Sequence, residues 1–462
     1  MILLAKLEQE SISKVKSDYK QIINAWISQV SDLKVKPIFG DVHFSNGIIE
    51  RIIKKDFTEY SGIKLQKDNS VYNAGGRVIT IPNINFHDHI YSRLAKGLNI
   101  KGETNSLENI LSNLWWKLDK ILDKDMIEAS AKMAVSESIK NGVTYIFDHH
   151  SSPNCISGSL TLLANEIEKN NLRAVLCFES SDRNGKKKSD EAIKENIDFC
   201  NQIKNNTNIK SMFGLHASFT LNDDTLSRIS EFVNRNDIGI HIHIDEDKAD
   251  SKISLGKYHA KAIDRLIKYK LLNEKTILAH GVHLSKSDFK KISRFNSAIA
   301  VNIESNMNNS VGIHSFKNIP DEIKIVCGTD GMHANPTETI KLIFLELRQQ
   351  GFSFADTFSK IKNIYFNQID FARRYFPDFP LLNIGDRADF IVWDYVPPTP
   401  LTENNFWGHF IYGMLNRQVQ SVFQTGIPLM IDKKLVGIDE QKINLQINKQ
   451  GTRLFNKFNK QR

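Results

Sequence analysis

Six residues of this chain together suit metal-assisted chemistry: His87, His89, His243, Glu246, His280 and Asp330. His87 and His89 stand one residue apart at the end of a strand-like run, residues 81–86. Alternate side chains of a strand point the same way, so both imidazoles can converge on one point. That pairing suits a transition metal such as zinc or iron. Two surface histidines near a loop are the plain alternative, and further ligand types in chain order argue against it. His243 and Asp330 would complete a set of three neutral imidazoles and one carboxylate, with room for a water. Glu246 lies three residues past His243, where a carboxylate can take that water's proton and pass it to a leaving group. His280 ends the next strand-like run and could orient or polarise the attacked group. His241 alternates with His243 and reads as structural, and His283 reads as loop or helix start. His149 and His150 are adjacent and cannot both face the centre; packing behind the ligands and contact with substrate both stay open.

The elements that must position these residues repeat one pattern. An apolar strand ends in a polar group, and a helical stretch follows. Strands are expected at 142–147, 173–178, 210–215, 238–240, 276–279, 298–301 and 323–329, after the one that ends in His87. Eight βα units predict an α/β fold, a (β/α)8 TIM-like barrel with its chemistry at the C-terminal strand ends. An open doubly wound sheet would not gather five strand-end histidines and an aspartate at one centre. Residues 79–382 are assigned to the barrel. Residues 1–78 and 383–440 are assigned to one small composite β-sandwich built from both chain ends, and 441–462 to a helix or tail. Within the first part, residues 1–33 read as helix from Leu7, Ile12, Val15, Tyr19, Ile22 and Ile23, although Met1 to Leu7 also suits a short strand. Residues 35–78 read as short strands, with a hairpin at Asn46-Gly47. The tail reads as strands at 390–394, 418–424 and 428–432.

Composition narrows the class. Of 462 residues, 41% are apolar and 25% charged, as in ordinary globular proteins. No apolar run is long enough to cross a membrane, and the N-terminus lacks a secretory pattern. Cys155, Cys177, Cys200 and Cys327 form no CxxC pair, which fits a reducing compartment, the cytoplasm, and leaves no cysteine metal site. The net charge of +8 invites a nucleic-acid reading, but the lysines are interspersed with acids. The densest run, Lys186-Lys187-Lys188, reads as a solvated loop, and no nucleic-acid-binding motif is present. A small molecule is the expected partner, with neither nucleic acid nor membrane.

The order HxH, His with Glu three residues on, His, then Asp resembles that of the amidohydrolase superfamily. Leu278-Ala279-His280-Gly281-Val282-His283-Leu284, Ser305-Asn306-Met307 and Gly328-Thr329-Asp330-Gly331 look like its deaminase and chlorohydrolase branch. Asn113 to Asp119, Asp148 to Pro153, Phe178 to Gly185 and Ser305 to Gly312 resemble the SsnA aminohydrolase group. The resemblance covers roughly residues 35 to 435. Two places depart from it: Pro82-Asn83 replaces the usual proline-glycine, and Val301-Asn302-Ile303 the usual His-Asn-Pro. It implies one divalent ion per chain, zinc or else iron, held by His87, His89, His243 and Asp330. No lysine ends the fourth strand, so a two-metal centre is not expected. It further implies Glu246, His280 and Asp330 as the catalytic groups, and Trp115, Trp116, His216, Asn306 and Met307 as pocket walls. The implied reaction is deamination of a small nitrogen heterocycle, purine- or pyrimidine-like, and the implied assembly is a homodimer. Ring-opening amide hydrolysis or dechlorination of a purine- or triazine-like ring uses the same chemistry. A binding-only barrel is the alternative of another class, against which the pairing of Glu246 with a full metal shell argues.

Overall fold

The structure is a computed structural model that describes residues 19–57 and 70–460. It divides into two compact units. One holds the chain up to Pro82 with Ile139–Gly142 and Asp378–Glu440, and the other holds Asn83–Ser138, Val143–Pro377 and Gln441–Arg462.

The first unit is a nine-stranded sheet drawn from both chain ends. Gln21–Ser31 pairs antiparallel with Lys34–Ser45, which pairs with Ile48–Lys54. Val78–Thr80 joins the two ends, running parallel to Gln21–Ser31 and antiparallel to the tail strand Phe390–Trp393. Val419–Gln424, Ile427–Ile431 and Lys434–Leu435 continue the tail side. The expected two-layer sandwich is therefore one continuous sheet. It curls over its own core, so that the rings of Phe44 and Phe423, on strands far apart in the order, lie 6.4 Å apart.

The helix expected over residues 1–33 is corrected where the chain is described. Gln21–Ser31 is a strand, while residues 1–18, including the alternative strand at Met1 to Leu7, lie outside the described residues. The reason is a bulge. Asn24 has φ +57°, and the pairing register shifts between Ile22 and Ala25, which breaks the two-residue alternation. The following turn, Asp32-Leu33, has φ of +52° and +53°, a hairpin geometry that its residue types do not advertise.

The second unit is the expected barrel. Its parallel strands are Asn83–Asp88, Val143–His150, Arg173–Phe178, a fourth in two pieces (Ile209–Ser211 and Phe213–Ala217), Ile240–Ile244, Ile277–His280, Ala298–Val301 and Lys324–Cys327. The fourth breaks at Met212, pairing with the third through its first piece and with the fifth through its second. The ring closes where the backbone N–H groups of Thr329 and Asp330 both donate to His87 O at 2.9 Å. Gly328 permits that closure, because a Cβ there would meet His87 Cβ at 2.6 Å. Helices fill the intervals. Lys186-Lys187-Lys188, expected in a loop, instead opens the helix Lys186–Gln202 after Gly185. The C-terminal stretch is the helix Glu440–Lys460, whose Arg453 and Lys457 both reach Asp123 at 2.8 Å. Among the described residues, no helix is long and apolar enough to cross a membrane.

Candidate metal centre and pocket

Every strand that carries a proposed ligand ends at the same mouth of the barrel. His89 Nε2 lies 2.9 Å from Asp330 Oδ1 and 3.2 Å from His243 Nε2, and His87 Nε2 lies 3.5 Å from Asp330 Oδ1. All three rings are buried.

Hydrogen bonds on the far side of each ring decide which nitrogen faces the centre. His89 Nδ1 donates to His149 O at 2.6 Å, and His243 Nδ1 donates to His216 O at 2.8 Å. A carbonyl only accepts, so each Nδ1 carries the proton and each Nε2 offers a lone pair inward. His280 Nδ1 lies 2.8 Å from Asn306 Oδ1, which fixes it the same way. His87 is backed by His241, with Nδ1 and Nε2 2.8 Å apart. His241 thus orients a neighbour, in keeping with its structural reading.

The centre fits a divalent cation. Among the described residues, His87 Nε2 and His280 Nε2 are buried with no hydrogen-bond partner. Ligand atoms of His87, His243, His280 and Asp330 all lie within 4.8 Å of one another. Lone pairs of neutral imidazoles crowd together only at a cost, and a metal ion removes it. Burial pushes the pKa of His87 down to about 3 and that of His243 well below the usual range, the neutral form a metal needs. For His89 burial also works against charge, but Asp330 outweighs it and lifts the ring to about 9. Burial opposes charge on Asp330 too, yet the His87 and His89 rings beside it hold the carboxyl well below its ordinary pKa.

Two of these strand-end residues sit in left-handed backbone. His280 has φ +69° and Asp330 φ +54°, a conformation costing each roughly 1–2 kcal/mol. Such strain persists where surrounding packing over-determines it, and functional sites collect it.

Beside the centre lies a cavity. Glu246, His280, His89, His243 and Asp330 line one end, and His216, Trp115 and Trp116 contribute to its walls. Glu246 Oε2 is 3.8 Å from His280 Nε2, and burial pushes the glutamate's pKa up. The tryptophans come from a π-helical turn, Leu111–Trp115, and the helix Trp116–Ile121, a local irregularity frequent at functional sites. Asn306 and Met307, expected as pocket walls, do not line the cavity. The short helix Ile303–Asn308 turns Asn306 inward behind His280 and leaves Met307 44% exposed.

Sequence reasoning did not single out Asp119, Glu179 and Arg183 as site residues, yet all three line the cavity. They lie inside the tryptophan-rich and strand-three motifs, the one signal that pointed to them. His149 is buried beside the ligands, while His150 packs away from them, its Nε2 2.9 Å from Ser152 Oγ.

Comparison with known proteins places this geometry among relatives. The Amidohydrolase family matches residues 79–429. A 5'-deoxyadenosine deaminase of Methanosphaera stadtmanae is 26% identical over 398 residues, spanning 84% of this chain and 91% of that one. A zinc-bound adenosine deaminase structure from Xanthomonas campestris superposes with a TM-score of 0.75 at 16% identity, covering 94% of this chain and 98% of its own. Atrazine chlorohydrolase from Arthrobacter aurescens TC1, complexed with zinc, gives a TM-score of 0.71 at 16% identity over 93% and 99% of the two chains.

Proposed function

The chain belongs to the amidohydrolase family, a metal-dependent hydrolase of carbon–nitrogen bonds, and on that basis we propose that it removes an amino group from a purine-like heterocycle. His87, His89, His243 and Asp330 would hold one zinc ion. One observation carries the reading: imidazole lone pairs and the Asp330 carboxylate converge beside Glu246 at the end of an aromatic-walled cavity. The chemistry such an ion supplies is Lewis acidity, which brings the pKa of water toward about 7.

The chain's own groups do the rest. Glu246 accepts the first proton of the attacking water and delivers it to the ring nitrogen, while Asp330 takes the second from the new hydroxyl and passes it to the departing amine. Burial raises its pKa, which suits a group that must both take and give that proton. His280, its Nδ1 tied to Asn306, turns the Nε2 lone pair inward, where it accepts from the hydroxyl added at the attacked carbon and steadies the tetrahedral centre. Asp330 shares the proton traffic, and Ser305 Oγ donates to its Oδ2 to fix its aim. Trp115 and Trp116 offer flat apolar faces to a planar ring. Ammonia is the product that leaves.

Dechlorination of a triazine-like ring is the second reading, favoured by the likeness to atrazine chlorohydrolase. The same water attack would then expel chloride. Metal analysis tests the shared premise. Purified protein should carry about one divalent ion per chain and lose it in His243→Ala. No bound metal, or occupancy unchanged by that substitution, would remove the site from consideration.

A further inference from the structure

On the His216 side of His243, the cavity holds a polar cluster that the reaction above does not use. Glu179 follows the third barrel strand, and its Oε1 forms an ion pair with Arg183 Nη2 at 3.1 Å. Arg183 also pairs with Asp119, lies 3.4 Å from His216 Nε2 through Nη1, and stacks over Trp116 at 5.3 Å from the ring centroid. Asp119 and Arg183 thus act as positioning residues that pin one oxygen of Glu179.

The other oxygen, Oε2, faces His149 Nδ1 at 3.7 Å. The tautomer of His149 is forced. Its Nε2 lies 3.0 Å from Leu215 O and 3.1 Å from His241 O, both acceptors, so Nε2 carries the proton. Its Nδ1 therefore presents a lone pair, and that atom is buried without a partner. His216 is fixed alike: Nδ1 lies 3.0 Å from Thr220 Oγ1, whose own proton goes to Ala217 O, so Nε2 is the acceptor. Among the described residues no donor reaches Glu179 Oε2. A carboxylate oxygen set against lone pairs in a closed site calls for a donor from outside the chain.

We infer that Glu179, flanked by His149 and His216, reads an N–H donor edge of the substrate. The preferred heterocycles then carry an exocyclic amino group away from the attacked carbon, and those with a carboxylate there are rejected. This inference rests on the aminohydrolase reading of the same site. A second metal ion is the competing occupant. Arg183 already brings positive charge to both Glu179 and His216, and His243 is committed to the first centre, so a substrate donor fits better.

The test measures binding to metal-loaded Glu246→Gln protein by calorimetry, with 2,6-diaminopurine, isoguanine and a 6-aminopurine 2-carboxylate as ligands. The diamino compound should bind at least about tenfold more tightly than isoguanine, the worth of one hydrogen bond to a charged group. The carboxylate should not bind. Adding Glu179→Gln should bring the two bound purines within about threefold of each other, with one metal per chain retained. Equal or reversed affinities in the Glu246→Gln protein would overturn the inference, even if the double variant failed to fold. So would a preference that survives Glu179→Gln, or a second equivalent of metal lost with it. In those cases ammonia release by wild-type protein from any of the panel would leave the aminohydrolase reading standing. If no purine binds and wild type releases no ammonia from any, both readings fall.

Discussion

His280 Nδ1 and Asn306 Oδ1 lie 2.8 Å apart, and this bond turns a strand-end histidine into a fixed hydrogen-bond acceptor facing the candidate reaction centre. Without it the buried ring could take either tautomer. Asn306→Leu should therefore lower kcat roughly 10- to 100-fold, as loss of an outer orienting partner commonly does. Steady-state kinetics with metal content measured in parallel checks this. Unchanged kcat would show that His280 needs no such support.

Glu246→Gln separates proton transfer from metal holding. The variant should retain its ion and lose turnover by about 100- to 10,000-fold, the span of general acid–base contributions. Near wild-type turnover would remove Glu246 from its role.

The histidine signature was legible because strand geometry converts spacing into direction: His87 and His89 share a face whatever the surroundings. The barrel was legible for a related reason, since each strand announces its end with a polar residue. What stayed hidden depends on contacts far apart in sequence. The Gln21–Ser31 strand stayed hidden because a bulge at Asn24 breaks the two-residue alternation that marks a strand. Asn306 was placed in the pocket, but its side-chain oxygen faces the back of His280. The acceptor wall at Glu179 arises from carbonyls of Leu215 and His241 that fix the His149 tautomer, which no local motif encodes.

The composite sheet yields a stability prediction. Trp393 is buried, and its Nε1 donates to Thr80 Oγ1 at 2.9 Å, so a tail strand is tied to an N-terminal one. Trp393→Ala should cost about 3–5 kcal/mol, read as a lowered urea midpoint. A midpoint within error of wild type would show that the two chain ends do not depend on each other.

Asp223 supplies a pH dependence. Its hydrogen bond from Arg265, 2.8 Å away, holds the carboxyl down at about 2. The unfolded value is about 3.9, so the folded state favours the ionised form. That stabilisation is complete above the unfolded value and disappears as pH falls through about 2. The stability gap between wild type and Asp223→Asn should be flat above about pH 5 and close on acidification. Denaturant titrations at several pH values check it, and a gap that widens in acid would reverse the sign.

Ammonia release tests the central claim most directly. Metal-loaded protein should convert a 6-aminopurine compound to its 6-oxo product with one ammonia per turnover, stop on chelation and resume when zinc is restored. Product formed without ammonia, or turnover that chelation leaves untouched, would contradict a metal-dependent aminohydrolase.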